Sequence, residues 1–599
     1  MDAQQFLNEA GKFFVPTPAK YKKEFPFLKE VDSGALCNTQ LDSQCRIIGT
    51  IFRIIQFSPQ LCRHATAVNA HCTRSHGRQP CLTIRRVAKK LESCGTTSPL
   101  FQVGVVDKKG DVQVTDMNSD SNAKSLTNID KSLIATLKAL PDDYWDFKEC
   151  DVREYTHGIH NYPAMMVCPI SRNIIRIVKE QKNIDTIFDP FAGSGTVLVE
   201  GMLAGINKIY GNDINPLALF LSKVKTTKVD MTLLQQETRD LISRINDVYQ
   251  QYHLQLEGAD DIMRHKYSLD LTSKDGWGSE APRYLEQYKN DNFLDINVPN
   301  FKNIGYWFKP KVILLMSLIK AEIAKIENKD IRDFIFIAFS ETIRFVSNRR
   351  NGEFKMFRMQ ANKVATFNPD VIKEFTVILN RNIVKMNDFV ETCTERDSNS
   401  NVIICNNNAT SLEDVPDESV DLVVTSPPYG DSRTTVAYGE YSRLSLQWLD
   451  LFNLTEKEIM GIDKSLMGGS KYRNGFEYTI PSSTLKKSLE KIKDVDLERA
   501  GDVYSFYLDL TDSIAAIASK TKVGGYQFWV VGNRTVKGET LLTDVIISEI
   551  AERYGLQHIY TIDRNIINKV MPAQNSPTNE SGVKTSTMTN EHIVILRKA

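Results

Sequence analysis

Ser426-Pro427-Pro428-Tyr429 is the stretch with the clearest chemical content. A hydroxyl, a backbone carbonyl and an aromatic ring follow one another at the end of the apolar, β-branched run Val420 to Val424. Pro427 restricts Ser426 to extended backbone, and each proline fixes its own φ, so the groups sit on a stiff platform. Such a platform suits a planar ring carrying an exocyclic NH2. The ring stacks on Tyr429, and the amine hydrogens point at Ser426 Oγ and the Pro427 carbonyl. The plain alternative is a strand ended by a proline-stiffened turn.

A second constellation lies far upstream. In the run Asp189-Pro190-Phe191-Ala192-Gly193-Ser194-Gly195-Thr196, the glycines allow a tight turn and close approach of a ligand to a helix N-terminus. Asp213 closes the next strand about 20 residues on, where an acidic side chain binds two ribose hydroxyls. Leu198 stands where the dinucleotide fingerprint has its third glycine, and the Gly-Lys-[Ser/Thr] of a phosphate loop is missing. The spacing therefore points to a nucleoside cofactor without a pyrophosphate.

These residues need strands and helices to position them. Asp185–Asp189, Lys208–Asp213, Val402–Cys405, Val420–Val424, Tyr526–Val531, His558–Ile562 and Glu591–Leu596 read as strands. Helical spacing marks Ser132–Leu140, Ser171–Gln181, Tyr504–Lys520 and Leu542–Tyr554, with a turn at Gly524-Gly525. Alternation of this kind predicts an α/β fold with a doubly wound, mainly parallel sheet. Residues 229–400 are too long for a connection and include helical runs from Pro310 and Ile331, so they read as an inserted, mostly helical domain. That insert divides a cofactor half (151–228) from a catalytic half (401–599), after an N-terminal region of unclear fold (1–150). Within the insert, Arg344, Arg349, Arg350, Lys355 and Arg358 interleave with Phe354 and Phe357, a mixture suited to phosphate contact and base readout. Arg433, in the polar loop after Tyr429, joins them as a DNA contact, and the polar segment 464–499 reads as a mobile loop.

Composition excludes several classes. With 74 basic and 74 acidic residues among 599, the chain has no formal net charge, which argues against a histone-like binder but leaves room for a local basic patch. No apolar run is long enough to span a membrane, and Met1-Asp-Ala-Gln-Gln lacks a signal pattern, so a cytoplasmic protein with reduced thiols is expected. Six of the ten cysteines fall between Cys37 and Cys94, near His64, His71 and His76, but Cys62, Cys72 and Cys81 fit no paired zinc-ligand spacing. No metal is therefore expected. Pro141-Asp142 and Pro369-Asp370 lack the downstream acid-x-Lys of a nuclease, which disfavours a fused restriction–modification enzyme.

Asp-Pro-Phe-Ala-Gly-Ser-Gly followed by Thr-Ser-Pro-Pro-Tyr resembles the amino-methylating DNA methyltransferases of bacterial restriction–modification systems, most closely the cytosine-N4 group. The resemblance spans about 155–227 and 402–596 and implies the class I, Rossmann-like methyltransferase fold. It implies S-adenosylmethionine as cofactor, bound by Asp189, Pro190, Phe191, Gly193, Gly195, Thr196 and Asp213. Thr156, His160 and Pro163 match the family's loop over the methionine part, and Asn408 stands where the family often has an Asp facing the adenine. Ser426, Pro427, Pro428 and Tyr429 match its catalytic motif. Ser at the motif's first position favours cytosine over adenine-N6, which remains the alternative, with an RNA methyltransferase a more distant one. The implied partner is double-stranded DNA with its target base flipped out, beside a separate restriction endonuclease.

Overall fold

Asp421 is the one charged residue in a mostly apolar strand, and it shows how the sheet is assembled. In a computed structural model, which describes residues 126–599 apart from 274–275, 351–353, 432–435, 469–470, 567–573, 576–584 and 587–589, Asp421 Oδ2 accepts hydrogen bonds from the backbone N–H groups of Asp185 (3.1 Å) and Thr186 (3.0 Å). Lys522 Nζ donates to its other oxygen at 2.9 Å. Strands β1 (Thr186–Asp189), β4 (Val420–Thr425) and β5 (Thr521–Val531) are therefore clamped at their amino ends by one carboxylate.

With β2 (Lys208–Asn212), β3 (Asn401–Cys405), β6 (Leu556–Asn565) and β7 (Asn590–Lys598), these strands form one sheet in the order β3-β2-β1-β4-β5-β7-β6. Only β7 runs antiparallel, between β5 and β6. Helices cover both faces, which is why the strands are apolar throughout instead of alternating. Ile187, Leu422, Val424, Phe528, Val530, Ile593 and Ile595 face one core. Their neighbours Phe188, Val423, Trp529, Val531, Val594 and Leu596 face the other.

The first face carries α1 (Asn128–Lys138), α2 (Cys168–Gln181), α3 (Thr196–Leu203) and α4 (Pro216–Thr226). A capping box at Thr127 starts α1. Its buried Asp130 accepts from Tyr526 OH (2.6 Å) and Arg597 Nε (3.0 Å), fastening the helix to β5 and β7. The segment between β2 and β3 is helical: α5 (Met231–Gln251), α6 (His253–Lys266), α7 (Gly276–Asp291), α8 (Pro310–Ala324), α9 (Lys329–Val346) and α10 (Val371–Glu395). These helices build no core of their own. Phe334, Phe339, Ile343 and Phe389 join the core that also holds Ile187 and Val199, so residues expected to stand apart as an insert thicken one helical layer.

After β4 come α11 (Tyr438–Leu449), α12 (Glu456–Ser465), α13 (Ser483–Val495), α14 (Leu497–Lys520) and α15 (Thr543–Arg553). Two expectations are corrected here. The segment 464–499 holds α13, capped by Ser482 and burying Leu485, Leu489 and Ile492, in place of a mobile loop. The Gly524-Gly525 pair lies inside β5 as an irregularity in its pairing with β4, where a Cβ on Gly525 would meet Lys522 O at 2.8 Å.

Asp421→Ala is expected to lower stability by about 1–3 kcal/mol, because the buried Thr186 N–H and the part-buried Asp185 N–H lose their acceptor. Burial alone would raise this carboxyl, but Lys522, Thr186 and Asp185 outweigh it and hold it below the usual range. The stabilisation is thus present at neutral pH and fades as the carboxylate protonates at acid pH. Denaturant titrations of both proteins at neutral and acid pH measure the difference.

Candidate functional site

The chain leaves β1 toward β2 on one side and leaves β4 toward β5 on the other, which opens a crevice at the carboxyl ends of these strands. Asp189 ends β1 and Thr425 ends β4. Thr425 Oγ1 donates to Asp189 Oδ1 at 2.7 Å, and Phe191 N donates to the same oxygen at 3.1 Å. The glycine bend and the Ser-Pro-Pro-Tyr corner are therefore joined at the root, in one crevice. Burial pushes the Asp189 carboxyl up to about 7, with Thr425 and Phe191 opposing the shift and Asp213 adding to it.

Past Asp189 the backbone turns through left-handed conformations at Gly193 (φ 52°) and Gly195 (φ 81°) and enters α3 at Thr196. At Gly195 a side chain is excluded twice over: the φ is positive, and a Cβ would lie 2.9 Å from Ser222 Oγ. Asp213, just beyond β2, receives the Gly193 N–H (2.9 Å) and the Asn215 N–H (2.8 Å), one on each oxygen. Burial raises this carboxyl too. Ser194 Oγ is buried without a hydrogen-bond partner. A nucleoside cofactor fits this arrangement: a helix N-terminus, an orphaned hydroxyl and a fixed carboxylate with lone pairs to spare.

The loop 155–163 differs from expectation. Thr156 is buried with its hydroxyl on Lys225 O (2.9 Å). His160 is buried as well, with Nδ1 against Asn161 O (2.5 Å) and Nε2 against Ser340 Oγ (2.9 Å). Burial and the Arg344 charge lower its imidazole to about 3, so it stays neutral. Thr156 and His160 anchor the loop through these bonds, and Pro163 is buried as they are. Tyr162 faces the bend instead. Its ring lies 3.7 Å from where a Gly193 Cβ would be and stacks on Tyr438 at 5.9 Å, and its hydroxyl accepts from Asn215 Nδ2 at 3.0 Å. The signal for Tyr162 was an aromatic before a proline in a polar loop; only the fold shows which loop residue turns toward Gly193.

Ser426 is half-buried and Pro427 buried, with Pro428 and Tyr429 partly so. Ser426 Oγ lies 3.4 Å from Tyr429 OH, which donates to Glu591 Oε1 at 2.9 Å. Arg564 pairs with the other Glu591 oxygen. Nothing local in the sequence marked Glu591, because β7 lies far along the chain. Asn408 follows β3 at the rim; it is exposed, and its Oδ1 accepts from Thr410 N at 3.1 Å.

The basic cluster divides. Arg344 is buried, its guanidinium 3.6 Å from the Tyr441 ring centroid. Arg349 is buried and bridges to Arg358. Arg358 donates from Nε to Tyr306 O (2.8 Å) and from one Nη to Thr272 O (2.9 Å). Arg344 and Arg349 are thus turned inside, and Arg358, half-buried, is held by backbone carbonyls. Arg350 is exposed over Phe357, Lys355 is partly exposed, and Phe354 and Phe357 lie open to solvent beside them. Arg433 and the cysteine–histidine cluster between 37 and 94 lie outside the described residues. Among the described residues, His157, Cys168 and Glu200 come together, but Arg172 and His157 occupy both Glu200 oxygens. Burial alone would raise Glu200, yet those partners bring it to about 2. The cluster is an ion pair with a buried histidine and makes a poor cation site.

The chain is similar to known proteins over most of its length. Residues 153–264 match the family described as UPF0020, RMKL-like, methyltransferase domain. The chain is 39% identical over 483 residues to the type II methyltransferase M.MvaI of Kocuria varians, covering 79% of this chain and 98% of that one. It is 22% identical over 367 residues to the type II methyltransferase M.MjaII of Methanocaldococcus jannaschii, covering 53% of this chain and 67% of the relative. A solved rRNA methyltransferase from Streptomyces viridochromogenes aligns at 9% identity over 74% of this chain and 89% of its own, with a TM-score of 0.25, a likeness too loose to bear weight.

The raised Asp189 carboxyl sets a pH signature. A carboxyl that titrates near 7 when folded, against its ordinary 3.8, destabilises the fold progressively as pH rises between those values. Asp189→Asn keeps an acceptor for Thr425 and Phe191 but carries no charge. Relative to the unsubstituted protein, the variant is expected to gain stability from about pH 4 to pH 7. Thermal unfolding across that range checks the sign.

Proposed function

The chain belongs to the type II methyltransferases, and within that family we propose that it methylates the exocyclic N4 amine of a cytosine in double-stranded DNA, as the protective partner of a separate restriction endonuclease. The observation that carries this reading is the Thr425–Asp189 hydrogen bond, which sets the Ser426–Tyr429 corner beside the Gly193–Gly195 bend in one crevice.

S-adenosylmethionine, when bound, supplies an electrophilic methyl group on a sulfonium. Asp213 would hold its ribose hydroxyls, and the Gly193–Gly195 bend with Ser194 and Tyr162 would hold the rest. An exocyclic amine conjugated to its ring is a weak nucleophile. Ser426 Oγ and the Pro427 carbonyl accept its hydrogens, which favours a tetrahedral nitrogen and aims its lone pair. Orientation of this kind supplies a large share of the rate without a metal or a covalent intermediate. Tyr429 stacks on the base, which must leave the duplex at a cost of about a few kcal/mol. Ser426 supports cytosine as the target, because Ser at this position resembles the cytosine-N4 group, where adenine-N6 enzymes mostly carry Asp or Asn. Arg350 and Lys355 meet the phosphates, with Phe354 and Phe357 between them.

Nucleoside analysis after incubation with labelled cofactor and unmodified DNA is expected to give N4-methylcytosine; N6-methyladenine, or label in RNA alone, would overturn the assignment. Ser426→Ala is expected to slow single-turnover methylation by about 10²-fold or more while cofactor affinity holds. Wild-type rates in that variant would remove Ser426 from the site.

Arg350→Ala and Lys355→Ala are each expected to weaken duplex binding and to reduce the salt slope by about 1. Arg358→Ala should leave that slope alone and cost about 1 kcal/mol of stability, because two half-buried carbonyls lose their donor. Binding isotherms at several salt concentrations separate the two classes.

A further inference from the structure

Methylation of a neutral amine leaves a proton to dispose of. One N–C bond forms and one S–C bond breaks, with its electron pair staying on sulfur, so the nitrogen becomes cationic with two hydrogens and a methyl. The base returns to neutrality only when one of those hydrogens leaves as H⁺, from a nitrogen enclosed by the corner that holds it.

The corner contains an exit. Ser426 Oγ is 3.4 Å from Tyr429 OH, and Tyr429 OH donates to Glu591 Oε1 at 2.9 Å. Arg564, itself buried and holding Trp145 O at 2.9 Å, occupies Oε2, so the Glu591 carboxylate is aimed and its free face is given to Tyr429. Glu591 opens β7 opposite Arg564 in the sheet register, at the same end of the sheet as Ser426. Its side chain keeps 15% of its surface in solvent. Three oxygens thus run in series from the amine's position to a carboxylate with access to water.

We propose that Ser426, Tyr429 and Glu591 form a proton relay that removes the surplus hydrogen from the methylated nitrogen. Ser426 Oγ takes the proton from nitrogen as its own hydroxyl hydrogen passes to the Tyr429 oxygen. The Tyr429 hydrogen passes to Glu591 Oε1. The sum is a neutral methylated base and a protonated Glu591, which then releases its proton to water. Burial and the nearby Glu591 charge push the Tyr429 phenol well above its ordinary range, so the ring conducts the proton without dwelling as a phenolate. The relay rests on the amine-methylation reading above and extends it to a residue on the last strand.

Two near-isosteric substitutions test it. Tyr429→Phe keeps the stacking face and removes the hydroxyl; Glu591→Gln keeps an acceptor for Tyr429 that is far less basic. In single-turnover methylation each is expected to lose about 10²-fold, with the double variant no slower than the worse single one. Equilibrium affinity for S-adenosylmethionine and for target duplex, and the fluorescence of 2-aminopurine placed at the flipped position, are expected to stay unchanged. Wild-type rates in either variant would overturn the relay, as would losses that appear equally in duplex affinity or in base flipping, which mark a structural role. Thermal unfolding checks folding, and if Glu591→Gln does not fold, Tyr429→Phe carries the test. Failure of the unsubstituted enzyme to methylate any amine in DNA would instead sink the reading on which the relay rests.

Discussion

The contact on which the rest depends is the hydrogen bond from Thr425 to Asp189. Residues 236 positions apart meet there at the ends of adjacent parallel strands. The glycine bend hangs from the Asp189 side and the Ser-Pro-Pro-Tyr corner hangs from the Thr425 side. The carboxylate is buried, and burial disfavours its charge; two donors on one oxygen offset part of that cost. A site whose two halves share one buried group cannot open without leaving that group unsatisfied, which keeps the crevice at fixed width.

The helical layer between β2 and β3 also braces the site. Ser340 and Glu341 of α9 hold His160 and Asn161, and Arg381 and Asn382 of α10 hold Ile159 O. The loop that presents Tyr162 is therefore fixed by helices far along the chain. On the other side, the exposed loop with Arg350 and Lys355 reaches α11 through the Met356 N–H on Glu440 (2.7 Å). Helix α11 supplies Tyr438 against Tyr162 and Ser442 to Asn215. The surface suited to phosphate and the crevice suited to the cofactor are thus linked by one short run of hydrogen bonds and stacked rings.

Much of the fold was legible because the strands are apolar on both faces and bounded by turn residues. The misses share a cause. Gly524-Gly525 reads as a turn in isolation, but within a sheet the same freedom accommodates a bulge. The segment 464–499 is rich in charge, yet Leu485, Leu489 and Ile492 lie at helical spacing and find a core to cover. Arginines 344, 349 and 358 read as a basic patch with their neighbours, although Arg344 and Arg349 are buried and Arg344 and Arg358 lie over tyrosine rings.

By itself the sequence determined what depends on neighbouring residues: the left-handed bend that only glycine tolerates, the stiffness of Pro427-Pro428, and the alternation of strand and helix that makes the sheet doubly wound. Only the tertiary structure decided which way each side chain faces and which distant partner it meets. It turned Thr156 and His160 into anchors, brought Tyr162 to Gly193 and placed Glu591 behind Tyr429. The physical reason is that backbone preference is set within a few residues, whereas burial and hydrogen-bond partnership are set by packing across hundreds.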